Sequence, residues 1–142
     1  MTARTRPPRR LAAGGYLSGP SLLEPVRLVH RPADCREDRL LATDVDVADS
    51  TLAQTRGLMF RRSVPDDYAL VFPFDASEPR TLHMLFVPFP IDALWIADGA
   101  VTHRKRLSPF VGLGRARADT VVELPAGAAA AVDVGDEVET KE

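Results

Sequence analysis

Three ionisable side chains stand inside otherwise apolar stretches: Arg56, His83 and Asp92. A charge buried alone is costly, so Arg56 and Asp92 must each be paired, hydrogen-bonded or set facing a cleft. In a cleft they would hold an anionic or polar ligand. The plainer alternative is a structural salt bridge, or an Asp92 that accepts backbone N–H groups across the corner made by Pro88 and Pro90. Gly57 would end a helix with Arg56 in its last turn, where a cation suits the helix dipole. Asp92 would then open the next strand, facing that helix end. His83 lies between Leu82 and Met84. As a general base it would need an orienting acid, which Asp92 could supply if their strands pair, and a nucleophile or water. No nucleophile motif accompanies it. A partly buried, hydrogen-bonded histidine is the competing account.

Other chemistry finds less footing. His30, His83, His103 and Cys35 show no ligand-like spacing with one another, so no metal is expected. The single cysteine, Cys35, cannot form an internal disulfide and sits in a charged stretch. Met59 and Met84, beside Phe60, Phe72 and Phe74, read as core packing rather than a soft-metal site. His103-Arg104-Lys105-Arg106, with Arg115 and Arg117, is locally basic, but alternate strand residues face opposite ways and split the patch. Gly112-x-Gly114 lacks the glycine, lysine and helix of a phosphate loop. No cofactor is expected.

The elements that must position these residues are mostly strands. Val26–Arg31 opens with alternating apolar residues. Leu41, Thr43, Val45 and Val47 alternate with Ala42, Asp44, Asp46 and Ala48, which predicts a strand with one wet face. Tyr68–Phe74 is apolar on both faces, with Pro73 marking an edge or bulge. Thr81–Val87 and Ala93–Ala97 follow, then Asp98-Gly99 as a hairpin turn into Ala100–Leu107. Asp119–Leu124 and Glu137–Glu139 complete the set, with Gly112 and Gly114 placed in the loop before residue 119. One short helix is expected near residues 50–57, capped by Asp49 or Ser50 and ended by Gly57. A helical turn is expected near 126–131 after Pro125. The pattern predicts a mainly-β fold, a sandwich or jelly-roll-like roll.

The chain has 142 residues, 45% of them hydrophobic, enough for one domain with its own core. No apolar run is long enough to span a membrane. The formal charge is −2. Residues 1–31 carry six arginines against Glu24, whereas the remainder is acidic, which disfavours nucleic acid as a partner. Arginine outnumbers lysine 16 to 2. A salt-rich cytosol or a GC-rich genome would each give that bias. Residues 1–24, rich in Pro and Gly, read as a flexible basic tail ahead of a domain at 25–142. Arg9-Arg10 before Leu11-Ala12-Ala13 is faintly similar to a twin-arginine signal, but the apolar stretch is short and broken by Gly14-Gly15. A cytoplasmic location is expected.

Several segments in order resemble one family. These are Arg56-Gly57-Leu58-Met59, then Leu70-Val71-Phe72-Pro73-Phe74, Met84, Pro90-Ile91-Asp92, Trp95 and Asp98-Gly99, with Val122-Glu123-Leu124-Pro125-Ala126-Gly127 and Val134-Gly135-Asp136 at the end. The set is similar to domain of unknown function 192, an uncharacterised group in bacteria and archaea. The resemblance spans about residues 26–139. It implies a mainly-β, jelly-roll-like domain and no established enzyme activity. Where many members have Trp-Met-Lys-Asn-Thr, this chain has His83-Met84-Leu85-Phe86-Val87, with apolar residues in place of the lysine, asparagine and threonine. The acidic flavour is similar to an archaeal halophile's version.

The sequence therefore points to a non-catalytic module that binds a small molecule, a polymer or a protein near Arg56, His83 and Asp92. The alternatives are a small hydrolase using His83 and Asp92, and an assembly module whose basic tail meets an acidic partner. Geometry separates the first two, because an enzyme needs His83 and Asp92 within hydrogen-bond reach beside an open pocket.

Overall fold

Turn residues and apolar runs divide the chain into strands joined by short loops. The computed structural model describes residues 9–11, 26–34, 37–48, 50, 54 and 57–141. Nine strands lie among them: β1 (Arg9–Leu11), β2 (Arg27–Arg31), β3 (Arg39–Ala42), β4 (Asp44–Ala48), β5 (Tyr68–His83), β6 (Ile91–Ala97), β7 (Ala100–Leu107), β8 (Leu113–Pro125) and β9 (Glu137–Lys141). They form one continuous sheet in the order β1-β4-β5-β8-β6-β7-β9-β2-β3. The mainly-β expectation holds, and no helix among the described residues is long and apolar enough to cross a membrane.

β6 and the adjoining parts of β5 (residues 68–72) and β8 (residues 121–124) are buried on both faces, and there the sequences are largely apolar without alternation. One face carries Ala69, Val71, Leu94, Ile96, Val122 and Leu124, packed with Val26, Leu28 and Val138. Leu28 and Ala42 come from the far end of the sheet and share this cluster with Val45, so the sheet curls until its two ends meet one core. The other face carries Tyr68, Leu70, Phe72, Ala93, Trp95 and Val121, covered by Leu58, Met84 and Val87 from loops. Gly114 lies within β8 rather than in a loop; a Cβ there would come 2.6 Å from the Trp95 ring, so only glycine lets the strand pass.

Several elements differ from expectation for identifiable reasons. Tyr68–Phe74 and Thr81–His83 belong to a single long β5. Its pairing with β8 breaks between Pro73 and Glu78, opposite only Asp119, so the segment after Pro73 bulges out. The expected strand over residues 41–48 splits at Thr43, whose N–H and hydroxyl both bond to Asp67. Its supposed wet face is buried. Asp46 lies beneath other residues and accepts the Tyr68 hydroxyl at 3.0 Å, and Ala42, Asp44 and Ala48 are buried as well. Residues 126–131 form successive turns, Ala128 to Pro125 and Ala130 to Gly127, rather than a helix. Most of the helix expected near 50–57 lies outside the described residues. Gln54 N–H does donate to the Ser50 carbonyl at 2.9 Å, an α-type bond, and Gly57 has φ +52°, the left-handed conformation that ends a helix.

Candidate functional site

Asp92 enters β6 two residues after the Pro90 corner and is only 4% exposed. Its carboxylate is fully engaged. Oδ1 accepts Arg106 Nε at 2.6 Å from the neighbouring strand β7, and Oδ2 accepts the backbone N–H groups of Gly127 and Ala129 at 3.0 and 3.1 Å. The carboxylate and its hydrogen bond hold the Arg106 guanidinium above its ordinary range. Asp92 thus ties the 126–131 turns to the sheet and, among the described residues, has Arg106 as its cationic partner. Arg56 lies outside the described residues.

His83 ends β5, exposed, and its Nδ1 accepts the Leu85 N–H at 3.2 Å. It does not touch Asp92, so the acid–histidine pair that a small hydrolase would need is not formed. Asp92 sits on the face of β6 that carries Leu94 and Ile96, with the curled core. His83 instead borders a cleft on the other side.

That cleft holds a group the sequence reading missed. Glu123 is 5% exposed in β8, and its Oε1 is buried without a hydrogen-bond partner. Burial pushes the carboxyl up to about 8, although the Arg61 guanidinium draws it down in part. The cleft, of about 160 Å³, is lined by Gln54, Gly57, Leu58, Met59, Phe72, Thr81, Leu82, His83, Val87 and Glu123. A second lobe of about 340 Å³ shares Gln54, Phe72, Thr81 and Leu82 and extends to Phe74 and Arg80. The two lobes follow β5 past its bulge. Arg80 is held over the Phe74 ring at 3.9 Å, with its Nη2 donating to the Ala76 carbonyl. Glu123 was findable: it is the lone charge between Val121, Val122 and Leu124, the same signal that singled out Asp92.

A further buried polar pair lies away from the cleft. His30 Nε2 meets Asp136 Oδ2 at 2.7 Å. Burial would raise the Asp136 carboxyl, but hydrogen bonds from the Asp133 N–H, His30 and the Ala33 N–H outweigh it and hold the group below its ordinary range. Neither residue faces Glu123's cleft.

A family model matches residues 34–140, most of the resemblance noted in the sequence; it is DUF192, described as an uncharacterized ACR. The chain belongs to the DUF192 family. Three of the segments by which it resembles DUF192 reach the cleft: Gly57, Leu58 and Met59 from the first, Phe72 from the second, and Glu123 from a closing one. The chain is similar to a solved structure from Sinorhizobium meliloti 1021, described as a candidate transcription regulator. Identity is 26%, with 86% of this chain and 98% of that chain covered and a TM-score of 0.71. It also shares its fold with a protein of unknown function from Novosphingobium aromaticivorans DSM 12444, at 22% identity, 80% and 83% coverage and a TM-score of 0.68. No curated protein matches the chain.

Proposed function

We propose that this DUF192 chain is a cytoplasmic, non-catalytic binding module for a small molecule, seated in the cleft along β5. Residues 25–142 are the binding domain, and 1–24 are a basic tail from which Arg9–Leu11 adds an edge strand. The observation that carries the proposal is Glu123 Oε1, buried without a partner at the wall of an open cleft. An unpaired buried acceptor costs about 1–3 kcal/mol, more if charged, and a ligand that donates to it recovers that cost. The ligand therefore carries a hydrogen-bond donor, best an ammonium or guanidinium group, toward Glu123. Its apolar part lies against Phe72, Leu82 and Val87, and Gln54, Thr81 and His83 supply polar contacts at the rim.

Thermal melts with four probes of one size test this: n-butylamine, n-butylguanidine, n-butanol and n-butyrate. The cationic probes should raise the melting temperature by mass action, and butyrate should not. A shift from butyrate alone, or equal shifts from all four, would count against Glu123 as the anchoring group. The competing hydrolase reading draws no support from the geometry, because Asp92 is committed to Arg106, Gly127 and Ala129.

A further inference from the structure

Three phenylalanines hold backbone conformations that bulky residues avoid. Phe60, Phe86 and Phe110 have φ of 69°, 60° and 65°, in the left-handed region where Gly or Asn is at ease. None of them serves the core: they are 63%, 48% and 59% exposed. They stand on three neighbouring loops. The Phe60 ring stacks on Phe86 at 4.9 Å, and the Phe60 N–H donates to the Phe86 carbonyl at 2.9 Å. The Phe110 N–H donates to the carbonyl of Val87, next in the chain to Phe86, at 3.0 Å. Leu85 and Val111 add exposed apolar side chains to the same loops, and Leu113 adds one at the start of β8. Stability alone gives no reason to place phenylalanine at three strained, solvent-facing positions.

The charge around them is one-sided. Segments 57–65, 79–91 and 99–118 contain no Asp or Glu, in a chain whose net charge is −2. Arg61 and Arg62 follow Phe60, Arg115 lies two residues beyond Leu113, and Lys105 Nζ reaches the Leu113 carbonyl at 2.7 Å. Acids gather elsewhere, at Asp38, Glu137 and Glu139 around Arg31. Exposed apolar tips on segments that carry cations and no acid are complementary to a bilayer rich in anionic lipid.

We propose that these three loops are a docking surface for an anionic membrane. Phe60, Phe86 and Phe110 enter the boundary between headgroups and acyl chains, and Arg62, Lys105 and Arg115 meet lipid phosphates. A second copy of this chain is a poorer occupant, because a two-fold contact sets each cation-bearing patch against its own like. The surface adjoins the cleft, since Met59 and Val87 of its lining neighbour Phe60 and Phe86 in the chain, but the proposal does not rest on the binding reading above.

Co-sedimentation of the full chain with vesicles tests the proposal. Binding is expected to vesicles of phosphatidylcholine mixed with phosphatidylglycerol, to weaken as salt rises, and to be far weaker to phosphatidylcholine alone. The triple change Phe60→Asn, Phe86→Asn and Phe110→Asn should relieve the backbone, leaving the melting temperature equal or higher, while partitioning to anionic vesicles falls about tenfold or more. The exposed pair Arg62→Gln and Arg115→Gln should fold normally and lose part of the salt dependence. Failure to bind anionic vesicles would overturn the proposal, as would undiminished binding by the triple variant. So would a dimer, seen by light scattering, that the triple variant dissolves, since the patch would then be an interface between copies.

Discussion

Replacing Glu123 by glutamine isolates the one buried acid that faces the cleft among the described residues. In the folded chain its carboxyl is pushed from 4.5 to about 8, chiefly by burial. Between those pH values the folded state holds a proton that the unfolded state has released. The sign follows: the contribution to stability is fully present below about pH 4.5 and is lost as pH rises through about 8. At 1.36 kcal/mol per pH unit, that interval corresponds to about 5 kcal/mol across the whole range. Glutamine is close in shape to the protonated acid and does not titrate. The variant should therefore match the parent within about 1 kcal/mol near pH 5 and exceed it by several kcal/mol near pH 9. Urea denaturation of both proteins at a series of pH values measures this directly, and the histidines, common to both, cancel in the difference. Parallel pH profiles for the two proteins would refute the reasoning, because they would mean that Glu123 is solvated or already paired.

Three other outcomes follow from the structure. Asp92→Ala strips the Gly127 and Ala129 N–H groups of their acceptor and should cost about 1–3 kcal/mol by denaturation, with faster amide exchange across residues 126–131. Met84→Ala, at a fully buried side chain, should cost about 2–5 kcal/mol, and Met59→Ala, only partly buried, should cost less in the same melts. Asp136, held below its ordinary range by His30 and two backbone N–H groups, stabilises the fold above its unfolded value. That stability is lost as pH falls through the folded value, so Asp136→Asn should flatten the acid limb of the stability profile.

Much of this architecture is legible in local sequence. The Asp98-Gly99 turn, with φ of 53° and 83°, places β6 against β7, and Pro73 marks the break in β5. What escaped depends on contacts between distant segments. The alternation at 41–48 looks half-wet until the Tyr68 hydroxyl is seen to donate to the buried Asp46. The partner of Asp92 was hidden by one residue. A strict two-residue hairpin sets Asp92 opposite Lys105, but a register shift between Trp95 and Ile96 moves it opposite Arg106. Glu123 carries a sequence signal, as the lone charge among Val121, Val122 and Leu124, but an acid in a strand ordinarily faces water. The second apolar layer over β8, built from loops around Leu58 and Met84, shows that it does not.

The central claim is that Glu123 receives a donor group in the cleft, and calorimetric titration with n-butylguanidine at about pH 7 tests it most directly. A carboxyl that is protonated when empty must ionise to meet a guanidinium. Binding should therefore release a proton, seen as a heat that changes with the ionisation enthalpy of the buffer, and Glu123→Gln should abolish both the binding and the proton release. Binding by Glu123→Gln as tight as by the parent, or no binding by the parent, would contradict the account.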